Sequence, residues 1–91
     1  MPVWTKPALK DIDYIFNYIA QDDEDAARSV AKKIYNASEE LDKHPQVGRK
    51  GTVSGTRELV IPKLPYILIY RNQERSAVEI LRVLHAKQKW P

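Results

Sequence analysis

Apolar residues recur at two periods along this chain, helical in the first half and strand-like in the second. Leu9, Ile12, Ile15, Phe16 and Ile19 stand at helical spacing, with Tyr14 and Tyr18 widening the stripe. Thr5 is a suitable N-cap, and Pro7 fits a first turn, where a missing N–H costs nothing. The pattern therefore predicts a helix that ends near Ala20. Ahead of it, Val3-Trp4-Thr5 reads as a short strand with Trp4 as its buried anchor. Ala27, Val30, Ala31, Ile34, Ala37 and Leu41 predict a second helix, stopped by His44-Pro45. Its small residues allow close antiparallel packing on the first helix.

Beyond His44-Pro45 the texture changes. Gly48 to Gly55 is a polar, glycine-spaced stretch that reads as a loop displaying Arg49 and Lys50. Three strands are predicted over 57–61, 66–71 and 77–85, separated by turns at Pro62, Pro65 and Asn72. Tyr66-Ile67-Leu68-Ile69-Tyr70 is apolar on both faces, as a covered central strand requires. The order β-α-α-β-β-β gives an α+β fold: one domain over 1–91, with a helical hairpin on one face of a small curved antiparallel sheet. The opposite face, with the basic strand residues, is expected to be open.

Charge sharpens this picture. Residues 1–42 hold five Lys/Arg against nine Asp/Glu, whereas residues 43–91 hold ten against three. Such a split suggests a basic face aimed at a phosphate backbone or an acidic protein. The alternative is that these cations merely solvate strands and turns. Without cysteine there is no disulfide or thiolate metal site, and His44 and His85 lack metal-ligand spacing. The acidic run Gln21-Asp22-Asp23-Glu24-Asp25 lacks the glycine and ligand spacing of a calcium loop; it suits a turn and a helix start, where carboxylates meet the positive end of the dipole. No metal and no cofactor is expected. No apolar run reaches the ~20 residues of a membrane span and no signal peptide is visible, so the expected compartment is the cytoplasm.

Free-standing catalysis finds little support. There is no Ser-His-Asp set, and Gly48-Arg49-Lys50-Gly51 does not match a P-loop. Arg49 and Lys50 suit either a tight turn or a phosphate contact. Arg57 and Arg71 suit bidentate grip on phosphate or carboxylate, although Arg57 is equally placed for a local pair with Glu58. Arg82, on the side of Val78, Ile80 and Leu84 in a regular strand, reads as structural. In the tail, His85 suits acid or base work on RNA, Lys87 and Lys89 suit phosphate, and Trp90 suits either base stacking or covering the core.

Trp4, Ala8-Leu9, Asp11-Ile12 and Tyr18-Ile19-Ala20, then Leu41, Pro45 and Gly48-Arg49, lead into Gly55-Thr56-Arg57-Glu58-Leu59. Pro65-Tyr66-Ile67, Tyr70-Arg71, Val78, Ile80-Leu81-Arg82-Val83-Leu84-His85, Gln88 and Trp90-Pro91 complete the series. In this order and spacing the chain resembles the ParE/RelE family of toxins from type II toxin–antitoxin modules along nearly its whole length. That resemblance implies a cognate antitoxin, whose acidic C-terminal segment would be drawn to a basic sheet face. Two activities live on this fold. ParE-like members bind DNA gyrase and trap it on cleaved DNA, without chemistry of their own. RelE-like members cut mRNA in the ribosome; for that activity the resemblance points to Arg57, Arg71 and His85 as catalytic. Leu59-Val60-Ile61 is apolar where the nucleases tend to carry lysines, and Ile67 stands where they often carry an arginine. The resemblance therefore favours gyrase poisoning over a metal-independent endoribonuclease. Arg49, Lys50, Arg57, Arg71, His85, Lys87, Lys89 and Trp90 are the expected contacts to target or nucleic acid; a passive nucleic-acid-binding module is a further alternative.

Overall fold

Seven elements follow in order: β1 (Val3–Trp4), α1 (Lys6–Ala20), α2 (Glu24–Lys43), β2 (Arg49–Lys50), β3 (Arg57–Val60), β4 (Tyr66–Asn72) and β5 (Val78–His85). The computed structural model describes residues 1–73 and 76–91; Glu74 and Arg75, counted above among the charges of the second half, lie outside them. Both helix starts follow the capping logic. Thr5 accepts from the Ala8 N–H at 3.4 Å, and Asp23 accepts from the Ala26 N–H at 3.0 Å. Neither helix is long and apolar enough to cross a membrane.

The strands form one sheet in the order β1-β5-β4-β3-β2. All pairs are antiparallel except β1 on β5, which is parallel. The expected loop from Gly48 to Gly55 is in part a strand: Arg49 pairs with Glu58 and Lys50 with Arg57 at the sheet edge. Two residues without apolar alternation leave no strand signal in the sequence, and only the partner strand creates one. The helical hairpin covers one face. Ala8, Ile12 and Ile15 of α1 and Ile34 and Leu41 of α2 close over Leu68, Tyr70, Val78, Ile80 and Val83. Trp4 is half-buried at the margin of this core and packs on the Tyr35 ring at a centroid distance of 4.8 Å.

A bulge decides how β5 meets α1. Ile69 faces Arg82 while Tyr70 faces Ile80, so Leu81 is an extra residue. Val78 and Ile80 join the core, and past the extra residue Val83 does. Arg82 is thereby displaced from the side of Val78 and Ile80, where strict alternation would keep it. Its guanidinium reaches Asp11 in α1 through two bonds, Nε to Oδ2 at 2.7 Å and Nη2 to Oδ1 at 3.0 Å. The same Oδ2 accepts from the Val83 N–H at 2.9 Å. Hydrogen bonding to Asp11 raises the Arg82 pKa further above its ordinary value.

A second anchor fixes the segment before β2. Tyr70 is fully buried; its hydroxyl donates to the Pro45 carbonyl at 2.8 Å and accepts from the Gly48 N–H at 2.9 Å. Burial raises the phenol pKa, against the opposing influence of the Gly48 N–H and Arg57. A Cβ on Gly48 would lie 2.6 Å from that hydroxyl and 2.8 Å from the Glu58 carbonyl, so only glycine allows the approach.

Both anchors yield stability predictions. Asp11→Ala removes the acceptor for Val83 and leaves Arg82 unpaired, so denaturant unfolding should show a loss of about 2 kcal/mol; an unchanged midpoint would refute the lock. Tyr70→Phe should cost about 1–2 kcal/mol by orphaning the Gly48 N–H and the Pro45 carbonyl. Gly48→Ala should cost about 1–3 kcal/mol through overpacking, and wild-type stability in either variant would contradict the described packing.

Candidate functional site

The cations of the second half engage their surroundings unequally. Arg49 reaches Glu58 across the strand pair, Nη2 to Oε1 at 3.0 Å and Nε to Oε1 at 3.1 Å. Successive strand residues point to opposite faces, so Arg57 cannot share that carboxylate, and the expected local pair with Glu58 does not form. Arg57 instead donates to the Gly48 carbonyl at 2.8 Å and the Gln46 carbonyl at 3.4 Å, bracing the segment that Tyr70 also holds. Arg71 meets Glu79 across the β4–β5 pair at 2.7 Å, and this bond raises its pKa further above the ordinary value. Lys50, Lys87 and Lys89 are exposed and have no ion-pair partner among the described residues.

His85 stands elsewhere. It pairs with Tyr66 at the far end of β4, with the two rings edge-on at 5.9 Å. Its backbone N–H donates to Gln88 Oε1 at 2.7 Å, and its Nδ1 accepts from the Lys87 N–H at 3.1 Å. A neutral imidazole held this way carries its proton on Nε2. Trp90 is half-buried and outside the core cluster. Tyr66 and Arg71 are five residues apart on one strand, which places the Arg71 and His85 positions about 17 Å apart along the sheet. Arg57 faces Tyr70, toward the Arg71 end. Arg57, Arg71 and His85 therefore do not converge on one point. Among the described residues no group of three His, Cys, Asp or Glu is placed to hold a metal ion.

The other feature is a groove that sequence reasoning missed. Thr5 is tied to the Ile80 and Leu81 carbonyls and Asp11 to the Val83 N–H, so α1 runs alongside β5 and continues past its end. The last turns of α1 and the tail after β5 leave an open-sided groove of about 930 Å³ between them. Tyr14, Ile15, Tyr18 and Ile19 form one wall; Tyr66, Val83, His85 and Gln88 form the other. Tyr14 and Tyr18 were expected to widen the core stripe of the helix. They remain 74% and 59% exposed, with their rings edge-on at 6.4 Å. Burial and the neighbouring Tyr18 raise the Tyr66 pKa. The available signal was a pair of tyrosines four residues apart on the flank of a stripe that Ile12 and Ile15 already complete.

Sequence and fold are shared with known proteins. The family model described as ParE toxin of type II toxin-antitoxin system, parDE, matches residues 3–90. Protein Y4kP of Sinorhizobium fredii is 47% identical over 88 residues, covering 97% of this chain and 90% of that protein. Toxin RelE2 of Caulobacter vibrioides is 34% identical over 84 residues, covering 92% of each. A solved chain from the chromosomal ParDE TA system of P. aeruginosa superposes with a TM-score of 0.80 at 25% identity, covering 93% of this chain and 95% of that one. With a family match over nearly every residue, and relatives aligned along almost their full lengths, this chain belongs to the ParE toxin family of type II toxin–antitoxin systems.

Proposed function

We propose that this protein is a growth-inhibiting toxin that acts by binding DNA gyrase, and that a cognate antitoxin neutralises it. One observation carries the choice of a binding mechanism over a nuclease: the residues suited to phosphate clamping and proton transfer are separated. Arg57 braces a backbone segment, Arg71 is paired with Glu79, and His85 lies at the opposite end of β4. A phosphodiester cleaved by general acid–base catalysis needs its proton donor and acceptor within hydrogen-bond reach of the reacting atoms. A surface that docks on a large partner has no such requirement. Lys50 on the β2 edge and Lys87, Lys89 and Trp90 in the tail are the target contacts on this reading, with Arg49 released from Glu58 on binding. Purified protein titrated into a gyrase supercoiling assay should inhibit the reaction and accumulate cleaved DNA. Undisturbed supercoiling at excess protein would reject the target.

A ribosome-dependent mRNA endonuclease is the second reading, favoured by the state of His85. Its Nδ1 is fixed by the Lys87 N–H, and its ring lines an open groove beside the Tyr66 phenol. Loss of one general acid–base group typically costs ~10²–10⁴-fold in rate. On this reading, primer extension on mRNA from expressing cells shows new codon-phased ends that disappear with His85→Ala. On the gyrase reading there are none, with or without the substitution.

A further inference from the structure

Two turns are fastened together at one end of the sheet, and each displays lysine. Ile61, Pro62, Lys63 and Leu64 make the turn between β3 and β4, closed by the Leu64 N–H on the Ile61 carbonyl at 3.2 Å. Lys63 holds its third position with φ 64°. With proline second, such a turn favours glycine or asparagine third, because a Cβ is strained in the left-handed region. Past β5 the chain turns again. The Gln88 N–H donates to the His85 carbonyl at 2.9 Å, and the Lys87 N–H to His85 Nδ1 at 3.1 Å. The Ala86 N–H donates to the Pro65 carbonyl at 2.8 Å and so joins the two turns. Lys63 and Lys87 flank that bond, and Lys89 follows the closed turn.

The strand side of this end is cationic. Residues 59–73 and 80–91 contain no acid; Asp22 and Asp23 belong to the connection between the helices, across the groove. The described arginines of the second half are engaged elsewhere: Arg49 with Glu58, Arg57 with backbone carbonyls, Arg71 with Glu79 and Arg82 with Asp11. Lys63, Lys87 and Lys89 are exposed and have no ion-pair partner among the described residues. Arginine brings a rigid fork that reads base edges, whereas lysine is a point charge on a flexible stem. Carboxylates fixed on a folded protein favour the fork, which loses less freedom per hydrogen bond made. Flexible point charges suit a repeating line of charge without fixed register. Duplex DNA offers one negative charge per ~1.7 Å of its axis.

Resting on the reading that this toxin acts on gyrase, we infer that Lys63, Lys87 and Lys89 grip the phosphate backbone of the DNA that gyrase holds, without reading its sequence. The strained position in the β3–β4 turn carries a lysine because its ammonium is one of the contacts.

Anisotropy of a labelled duplex, titrated with the intact protein from low salt upward, tests the contact. The parent should bind two duplexes of unrelated sequence within twofold of each other, and its affinity should fall steeply with salt. At about 0.9 per phosphate contact, Lys63→Gln/Lys87→Gln should flatten the slope of log K against log salt by about 1.8. Lys32→Gln/Lys33→Gln, an equal change of charge at exposed positions of α2, should leave the slope unchanged. Lys63→Gly should weaken binding by about five- to tenfold at moderate salt and resist denaturant at least as well as the parent, since glycine accepts the left-handed conformation. No binding by the parent at low salt, or equal flattening by the two double variants, overturns the proposal. A less stable Lys63→Gly means that the lysine serves the fold, and overturns the account of position 63. If Lys63→Gln/Lys87→Gln loses gyrase inhibition while binding DNA as the parent does, the lysines meet the gyrase protein and the DNA contact is overturned. A parent that binds DNA through these lysines yet leaves supercoiling undisturbed counts against gyrase as the target and leaves the phosphate contact standing.

Discussion

The three hydrogen bonds accepted by Asp11 are the constraint on which the rest depends. They join residues about seventy positions apart in sequence, and they do so at the point where β5 loses its outer neighbour. β1 covers that edge only at Glu79 and Ile80. Thr5 then supplies its own N–H and hydroxyl to the Ile80 and Leu81 carbonyls, and Asp11 satisfies the next outward N–H, at Val83. A carboxylate held at a helix–strand junction and paired with an arginine contributes more than a surface ion pair, because losing it would leave both a backbone donor and a guanidinium without partners. The same bonds aim α1 along β5, so its final turns overhang the end of the sheet and create the groove wall.

Two surfaces follow from this arrangement, and they differ in character. At the β2–β3 edge, basic residues are largely tied into the fold. Glu58 holds Arg49, and two carbonyls hold Arg57 against a segment already pinned by the buried Tyr70 hydroxyl. The positive charge expected of the sheet is muted by the cross-strand carboxylates Glu58 and Glu79, while Lys50, Lys63, Lys87 and Lys89 are exposed and have no ion-pair partner among the described residues. At the α1–tail groove, aromatic and aliphatic side chains line the walls together with Lys10, Asp11, Asp22 and Asp23.

The sequence pattern was enough to show both helices, the Thr5 cap and four of the five strands, while the acidic run left Asp22 or Asp23 open as the second cap. Each is a local property: Thr5 and Asp23 cap whatever helix follows them, and Ile12, Ile15, Ile34 and Leu41 must be buried wherever their stripes face. Charge segregation between the halves was equally plain, as was the lack of metal-ligand spacing around two distant histidines. The order of Trp4, Asp11, Gly48-Arg49, Tyr70-Arg71 and Arg82-Val83-Leu84-His85 was sufficient to suggest the toxin family that the relatives and the solved ParDE chain support.

Pairing and direction, by contrast, were decided only in three dimensions. Arg49–Lys50 is a strand because Glu58 and Arg57 lie opposite it, not because of its own composition. One bulge at Leu81 reverses which residues of β5 face the helices, and no local pattern announces a bulge formed by the register of its neighbour. Arg57 and Glu58, adjacent in sequence, part to opposite sides of the sheet and take distant partners. Tyr14 and Tyr18 became groove rather than core because Asp11 sets where α1 ends relative to β5. Sequence specifies side chains and local conformation directly, whereas hydrogen-bond partners across strands depend on how the whole chain satisfies its buried donors and acceptors at once.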